Sequence, residues 1–205
     1  MKNFSWMKRI VLAGMMVVGV VACRHTSQEQ VAEVAFLGQK TTAKKIVYIM
    51  DHSGWSVDYF DFMREEIVRS VSELPPDCLF NVVMVSSAAS TIYPQLQPAT
   101  AEIKRDFAEK MRKFRSMGYS DLLLGEIASK KAFEAAFAMR PEVIYFLSHD
   151  RLAEPQLLDV VAHLNESREV RVNTLTFDFF DNLSREKLLK TLAENSGGTY
   201  TVVPE

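Results

Sequence analysis

Three short apolar runs constrain this 205-residue chain more than any other feature. They are Ile46 to Met50, Leu79 to Ser86 and Val143 to Ser148. Side chains alternate across a strand, so a run that is apolar at successive positions has no solvent face when extended. Such runs suit parallel strands covered on both sides. Amphipathic stretches separate them. Phe60, Met63, Ile67, Val71 and Leu74 recur at spacings of three and four, with Arg64, Glu65, Glu66 and Arg69 between them. That pattern predicts a helix over 57–74, stopped by Pro75-Pro76. Further helices are expected over 100–115, 122–139, 155–165 and 184–195. Strands are expected at 31–38 as a short edge strand, at 45–50, 79–86 and 143–148, and at 88–93, 169–177 and 199–203. The expected fold class is therefore α/β: a doubly wound, mostly parallel central sheet flanked by helices, with right-handed crossovers.

Residues 1–23 stand apart from this pattern. Lys2, Lys8 and Arg9 precede the uncharged run Ile10 to Ala22. The run is shorter than the roughly 20 apolar residues of a membrane-spanning helix and suits the h-region of a secretory signal. Val20-Val21-Ala22-Cys23 resembles a bacterial lipobox, although Val20 stands where leucine is usual. The resemblance implies lipidation of Cys23; the alternative is an uncleaved N-terminal anchor. Either way the protein is expected to be exported and held at a membrane of the cell envelope. The domains follow: 1–23 signal or anchor, 24–43 tether with a short edge strand, and 44–205 one globular domain. Cys78 is the only other cysteine, and two cysteines are too few for a thiolate metal site. Following the Pro75-Pro76-Asp77 turn, Cys78 reads as a small apolar filler. The formal net charge is −2 with mixed signs, so there is no basic stripe for a nucleic-acid partner.

The polar ends of the apolar runs carry the chemistry. Ile46–Met50 runs directly into Asp51-His52-Ser53-Gly54-Trp55-Ser56, and Val143–Ser148 into His149-Asp150. With the loop Gly118-Tyr119-Ser120-Asp121, these should meet at the C-terminal edge of the sheet, where open α/β sheets bind ligands. Asp51, Ser53, His149 and Asp150 contain the elements of a Ser-His-Asp set, which leaves a hydrolase-like enzyme as an alternative. The Gly-x-Ser-x-Gly elbow and the Gly-rich phosphate loops are absent.

Over about residues 44–205 the pattern resembles the von Willebrand factor type A domain, a Rossmann-like fold. The likeness is carried by Asp51-His52-Ser53-Gly54, Pro75-Pro76, Phe80-Asn81-Val82-Val83, Val172-Asn173-Thr174 and Gly197-Gly198-Thr199-Tyr200, with Phe36-Leu37-Gly38 ahead of the first main strand. Bacterial versions place Asp-x-Ser-Gly-Ser-Met after that strand. The resemblance implies a metal-ion-dependent adhesion site built from an Asp and two Ser of the first loop, a Thr of the second and an Asp of the third. Mapped onto this chain, Asp51 and Ser53 match. Trp55 stands at the second serine position, with Ser56 one residue late. Ser120 replaces the Thr, and His149 stands at the third-loop Asp, with Asp150 one residue late.

Three readings follow. The favoured one is a degenerate site that holds no divalent ion strongly, because Asp51 is the one firmly placed anion and Mg²⁺ gives up its water reluctantly. In the second, Mg²⁺ or Mn²⁺ still binds through Asp51, Ser53, Ser120 and Asp150, with Ser56 swinging back. In the third, His52 and His149 suit a transition metal such as Zn²⁺. His52 is otherwise an outward side chain at the strand end. Trp55 is either an interface anchor or a plug over the empty site. His52, Trp55, Tyr119 and His149 form the expected partner-binding face. The expected function is a membrane-tethered protein-interaction module, non-enzymatic, whose partner is an unidentified protein of the cell envelope.

Overall fold

A computed structural model describes residues 33–117, 126–148, 154–177 and 183–204. Among the described residues, seven strands form the main sheet: β3 (Lys45–Asp51), β4 (Leu79–Val85), β5 (Ala89–Thr91), β6 (Gln97–Pro98), β7 (Val143–Leu147), β8 (Arg171–Phe177) and β9 (Tyr200–Val203). Their order is β5-β4-β3-β7-β8-β9, with β6 also pairing β4. Neighbours from β4 through β9 are parallel. Only the short β5 and β6 run antiparallel, at the β4 edge. The α-helices among the described residues are α1 (Phe60–Glu73), α2 (Ala101–Lys113), α3 (Glu126–Ala138), α4 (Gln156–Leu164) and α5 (Leu183–Asn195). Among the described residues no helix is long and apolar enough to cross a membrane. The start expected for α3 at residue 122 lies outside the described residues.

The pleat explains the continuous apolar runs. Ile46, Tyr48 and Met50 of β3 face one core with Phe80, Val82, Met84, Val143, Tyr145 and Leu147. Val47 and Ile49 face the other with Val83, Val85, Ile144 and Phe146. Phe60, Met63, Ile67 and Val71 of α1 and Phe107 and Met111 of α2 cover the first core. Ala132 and Phe133 of α3, Leu157 and Val161 of α4, and Leu189 and Leu192 of α5 cover the second. A strand buried on both faces brings a charged side chain to an open surface only at its ends, which is why the site residues sit there.

The N-terminal segment differs from its sequence reading. The edge strand expected at 31–38 is one arm, β1 (Val34–Phe36), of a separate hairpin. Its second arm, β2 (Gln39–Thr41), falls in the stretch read as a polar link. Leu37 and Gly38 turn the chain at φ +46° and +82°, the left-handed pair that a two-residue hairpin turn requires. Phe36 is fully buried, with its ring 5.1 Å from Tyr48 and 4.9 Å from Tyr145, edge-on to both. The hairpin thus closes the first core. Its polar residues are engaged too, since Gln39 Nε2 donates to Thr201 Oγ1 at 2.8 Å and Arg171 donates to Thr41 Oγ1 at 3.0 Å.

Asn81 is the one polar side chain in the middle of β4, and it is fully buried. Its amide donates to the carbonyls of Tyr93 (2.8 Å) and Gln95 (3.2 Å), and its Oδ1 accepts from the Tyr93 N–H (3.2 Å). It clamps the returning edge segment, which Pro94 keeps from continuing as a regular strand. Asn81→Leu leaves these buried groups unpaired and should cost about 2–3 kcal/mol. Denaturant unfolding measures this; a loss under about 0.5 kcal/mol would show that water replaces the clamp.

The stacked pair Tyr48 and Tyr145 makes a pH prediction. Burial pushes the Tyr145 phenol up to about 12 and also raises Tyr48, whose hydroxyl pairs with Ser70 Oγ at 2.7 Å. An unfolded tyrosine titrates near 10. The stability these phenols contribute is therefore complete below about pH 10 and falls as pH rises towards about 12. Alkaline titration should show tyrosinate absorbance from these two rings only together with unfolding.

Candidate functional site

The sheet order places the site. The chain runs from β3 to β4 on one side, then crosses to β7 on the other side of β3. This reversal puts a crevice at the C-terminal ends of β3 and β7. Asp51 closes β3 there and Ser148 follows β7; both are fully buried. The Ser148 N–H donates to the Leu175 carbonyl at 3.1 Å.

The loop after β3 folds on itself. The Asp51 carboxylate accepts the Ser53 N–H at 2.8 Å, which turns the chain. Ser53 then caps a short 3₁₀ turn, Gly54–Ser56, its Oγ accepting the Trp55 N–H at 3.3 Å. The Ser56 hydroxyl donates to the carbonyls of Ser53 (2.9 Å) and Asp51 (3.2 Å). Ser53 and Ser56 are both about 1% exposed. The His52 N–H donates to the Val85 carbonyl at 2.6 Å, extending the β3–β4 ladder by one bond.

This donor set decides how far a cation fits. The loop offers one carboxylate and two hydroxyls. Ser56 stays beneath the loop, its proton directed at backbone carbonyls, and does not swing back to stand in for Trp55. Mg²⁺ calls for six hard oxygens in near-ideal geometry, and these three residues fall short of such a shell. Among the described residues no cluster of three or more His, Cys, Asp or Glu side chains is placed to hold a metal. Ser120 and Asp150, the other two candidate ligands, lie outside the described residues, as do Tyr119, His149 and the lipidation candidate Cys23.

His52 is not the outward side chain expected from the sequence. It is half-buried, its ring 4.8 Å from Phe60 and 5.7 Å from Phe114. Its Nε2 lies 2.7 Å from the carbonyl of Arg115. That commits one of the two nitrogens a transition metal would use. Trp55 sits half-buried at the rim of the loop. Further along the chain, Tyr59 stacks on Phe177 at 4.9 Å, and Phe62, 42% exposed, meets Phe177 edge-on at 5.9 Å. No local sequence pattern announces this aromatic cluster, because its members come from the start of α1 and the end of β8. Cys78 behaves as read: it is buried and unpaired, and burial pushes its thiol up.

The other quoted segments also meet. Asn173 Oδ1 accepts the Thr199 N–H at 2.9 Å and its hydroxyl at 3.2 Å, and Thr174 Oγ1 donates to the Leu189 carbonyl at 2.9 Å. They fix β9 and α5 to β8, away from the strand-end loop.

No family model and no curated protein matches the chain. Solved structures do. One is a von Willebrand factor type A protein from Catenulispora acidiphila, at 19% identity and TM-score 0.58 over 81% of this chain and 40% of that one. A second is an aerotolerance-related membrane protein from Bacteroides fragilis, at 13% identity and TM-score 0.59 over 77% of this chain and 90% of that one. A third is proximal thread matrix protein 1 of the mussel byssus, in a form whose MIDAS motif is occupied by zinc, at 17% identity and TM-score 0.54 over 83% of this chain and 45% of that one. The chain thus spans less than half the length of the first and third. With the sheet order, the two covered faces and the strand-end loop in place, the fold of this chain is that of a von Willebrand factor type A domain.

Proposed function

We propose that the protein is a membrane-tethered interaction module that recognises a protein of the cell envelope with the C-terminal edge of its sheet, and that it does so without a tightly held ion. One observation carries the reading. The Asp51–Ser56 loop is closed by its own hydrogen bonds, so it keeps its shape without a cation to organise it. Trp55, with the loops bearing Tyr119 and His149, supplies the contact face, and aromatic anchors of this kind dominate interface energetics. Tethering through Cys23 or an uncleaved anchor would present that face to neighbours in the envelope.

Catalysis is disfavoured by the same geometry. Ser53, the one hydroxyl nucleophile of the Ser-His-Asp alternative, is almost wholly buried and caps a backbone N–H. Turnover of ester or phosphate substrates that disappears in Asp51→Ala would establish the hydrolase alternative instead.

The test is capture from solubilised native envelope by the intact protein. The expected result is a specific partner whose capture persists in EDTA and weakens about tenfold or more in Trp55→Ala, the size of a modest hot spot. Capture abolished by EDTA and restored by Mg²⁺ would replace this reading with the metal-dependent one.

A further inference from the structure

A side chain joins the loop after β3 to the exit of α2. His52 stands between Asp51 and Ser53, and its Nε2 lies 2.7 Å from the Arg115 carbonyl. A carbonyl only accepts, so Nε2 carries the proton and donates it. The imidazole is held over Phe60 and against Phe114. The neighbouring Phe114 carbonyl accepts from Arg64 Nη1 at 3.3 Å and from Arg115 Nη1 at 3.0 Å. Arg64 lies with its guanidinium 5.8 Å from the Phe60 ring centroid. Phe114 and Arg115 follow the last residue of α2, and the donors to their carbonyls come from the β3 loop, from α1 and from Arg115 itself.

We propose that His52 is a positioning residue. It ties the Asp51–Ser56 loop to the exit of α2 at Phe114–Arg115, and its imidazole supplies across the strand-end surface the link that a shared cation supplies in a metal-dependent site. Three features converge on this. The Asp51 carboxylate and the Ser53 and Ser56 hydroxyls each make a bond inside the loop. His52 bonds to α2's exit, and that exit leads on in sequence to Tyr119 and Ser120. The ring is fixed on two sides by aromatic contacts, so the bond is made by a preorganised donor. The inference rests on the strand-end reading only for its consequence, that the face is assembled before any partner arrives.

Two measurements on the full chain test it. The first is ¹⁵N NMR of the histidine rings: the His52 signals should report the Nε2–H tautomer, and an Nδ1–H tautomer overturns the proposal. The second is amide exchange at Ser53, Trp55, Ser56 and Phe114, all bonded within these two segments. His52→Phe keeps the aromatic packing and removes the donor; it should speed exchange at these amides about tenfold while β3, β4 and β7 stay protected. His52→Gln, which retains an N–H donor, should restore most of the protection, and EDTA should leave the wild type unchanged. Wild-type exchange rates in His52→Phe would show that the ring only packs, and faster exchange in EDTA would show that a cation makes the link; either result overturns the proposal. A failure of the strand-end reading shows elsewhere, as partner capture indifferent to Trp55→Ala with these exchange results intact.

Discussion

Gly198→Ala is expected to be among the most damaging single substitutions in the chain, costing about 4 kcal/mol and lowering Tm by about 10 °C. Gly198 lies where the chain leaves α5 and enters β9. A Cβ placed there would stand 2.1 Å from the Val172 carbonyl oxygen and 2.5 Å from its carbon. Both are backbone atoms of β8, itself hydrogen-bonded between β7 and β9. No side-chain rotation relieves such an overlap, so β9 or the turn must move. Moving it breaks the Asn173–Thr199 pair of bonds as well. The neighbouring Gly197 is a useful contrast. It has φ +67° with nothing within 4 Å of an added Cβ, so Gly197→Ala should cost only about 1 kcal/mol of backbone strain. Thermal unfolding of the two variants side by side is the measurement; similar losses would mean that the turn relaxes freely.

Phe36→Ala should cost about 4 kcal/mol, the range for removing a fully buried aromatic ring. The ring fills the space over Tyr48 and Tyr145, and the hairpin that carries it has few other apolar anchors. Val34 is the one other side chain of β1 and β2 in that core. The expected signature has two parts: a drop in global stability, and loss of amide protection in Val34–Thr41 beyond that drop. Chemical denaturation with residue-resolved exchange separates them. Loss of hairpin protection with unchanged global stability would show that the hairpin is a detachable flap and not part of the core.

Much of this architecture was legible in the sequence. Ile46–Met50, Leu79–Val85 and Val143–Leu147 had to be strands covered on both sides, because successive apolar residues leave no wet face on an extended chain. The 60, 63, 67, 71 spacing of α1 follows from the helical period. The strand-end position of Asp51 and Ser53 followed too, since a buried strand can carry an acid only where it ends. The hairpin was not legible. Gln39-Lys40-Thr41 is polar, and its polar side chains are satisfied by Thr201 and Arg171, residues far away in the sequence. No local pattern announces a partner that distant.

The division is sharpest in the loop after β3. By itself the sequence determined the ingredients: Asp51 and Ser53 in family order, Trp55 where a second serine belongs, Ser56 one place late. Tertiary structure decided what they do. Ser56 turned beneath the loop because its hydroxyl is buried there and finds the Asp51 and Ser53 carbonyls as acceptors, and a buried polar group must be paired. His52 turned sideways because Phe60 and Phe114 made an aromatic slot beside it and the end of α2 offered an acceptor. Local sequence fixes which groups are present and how far apart they lie along the chain. Which unsatisfied groups they meet depends on the crossing of β3, α1 and α2, and only the folded sheet sets that crossing.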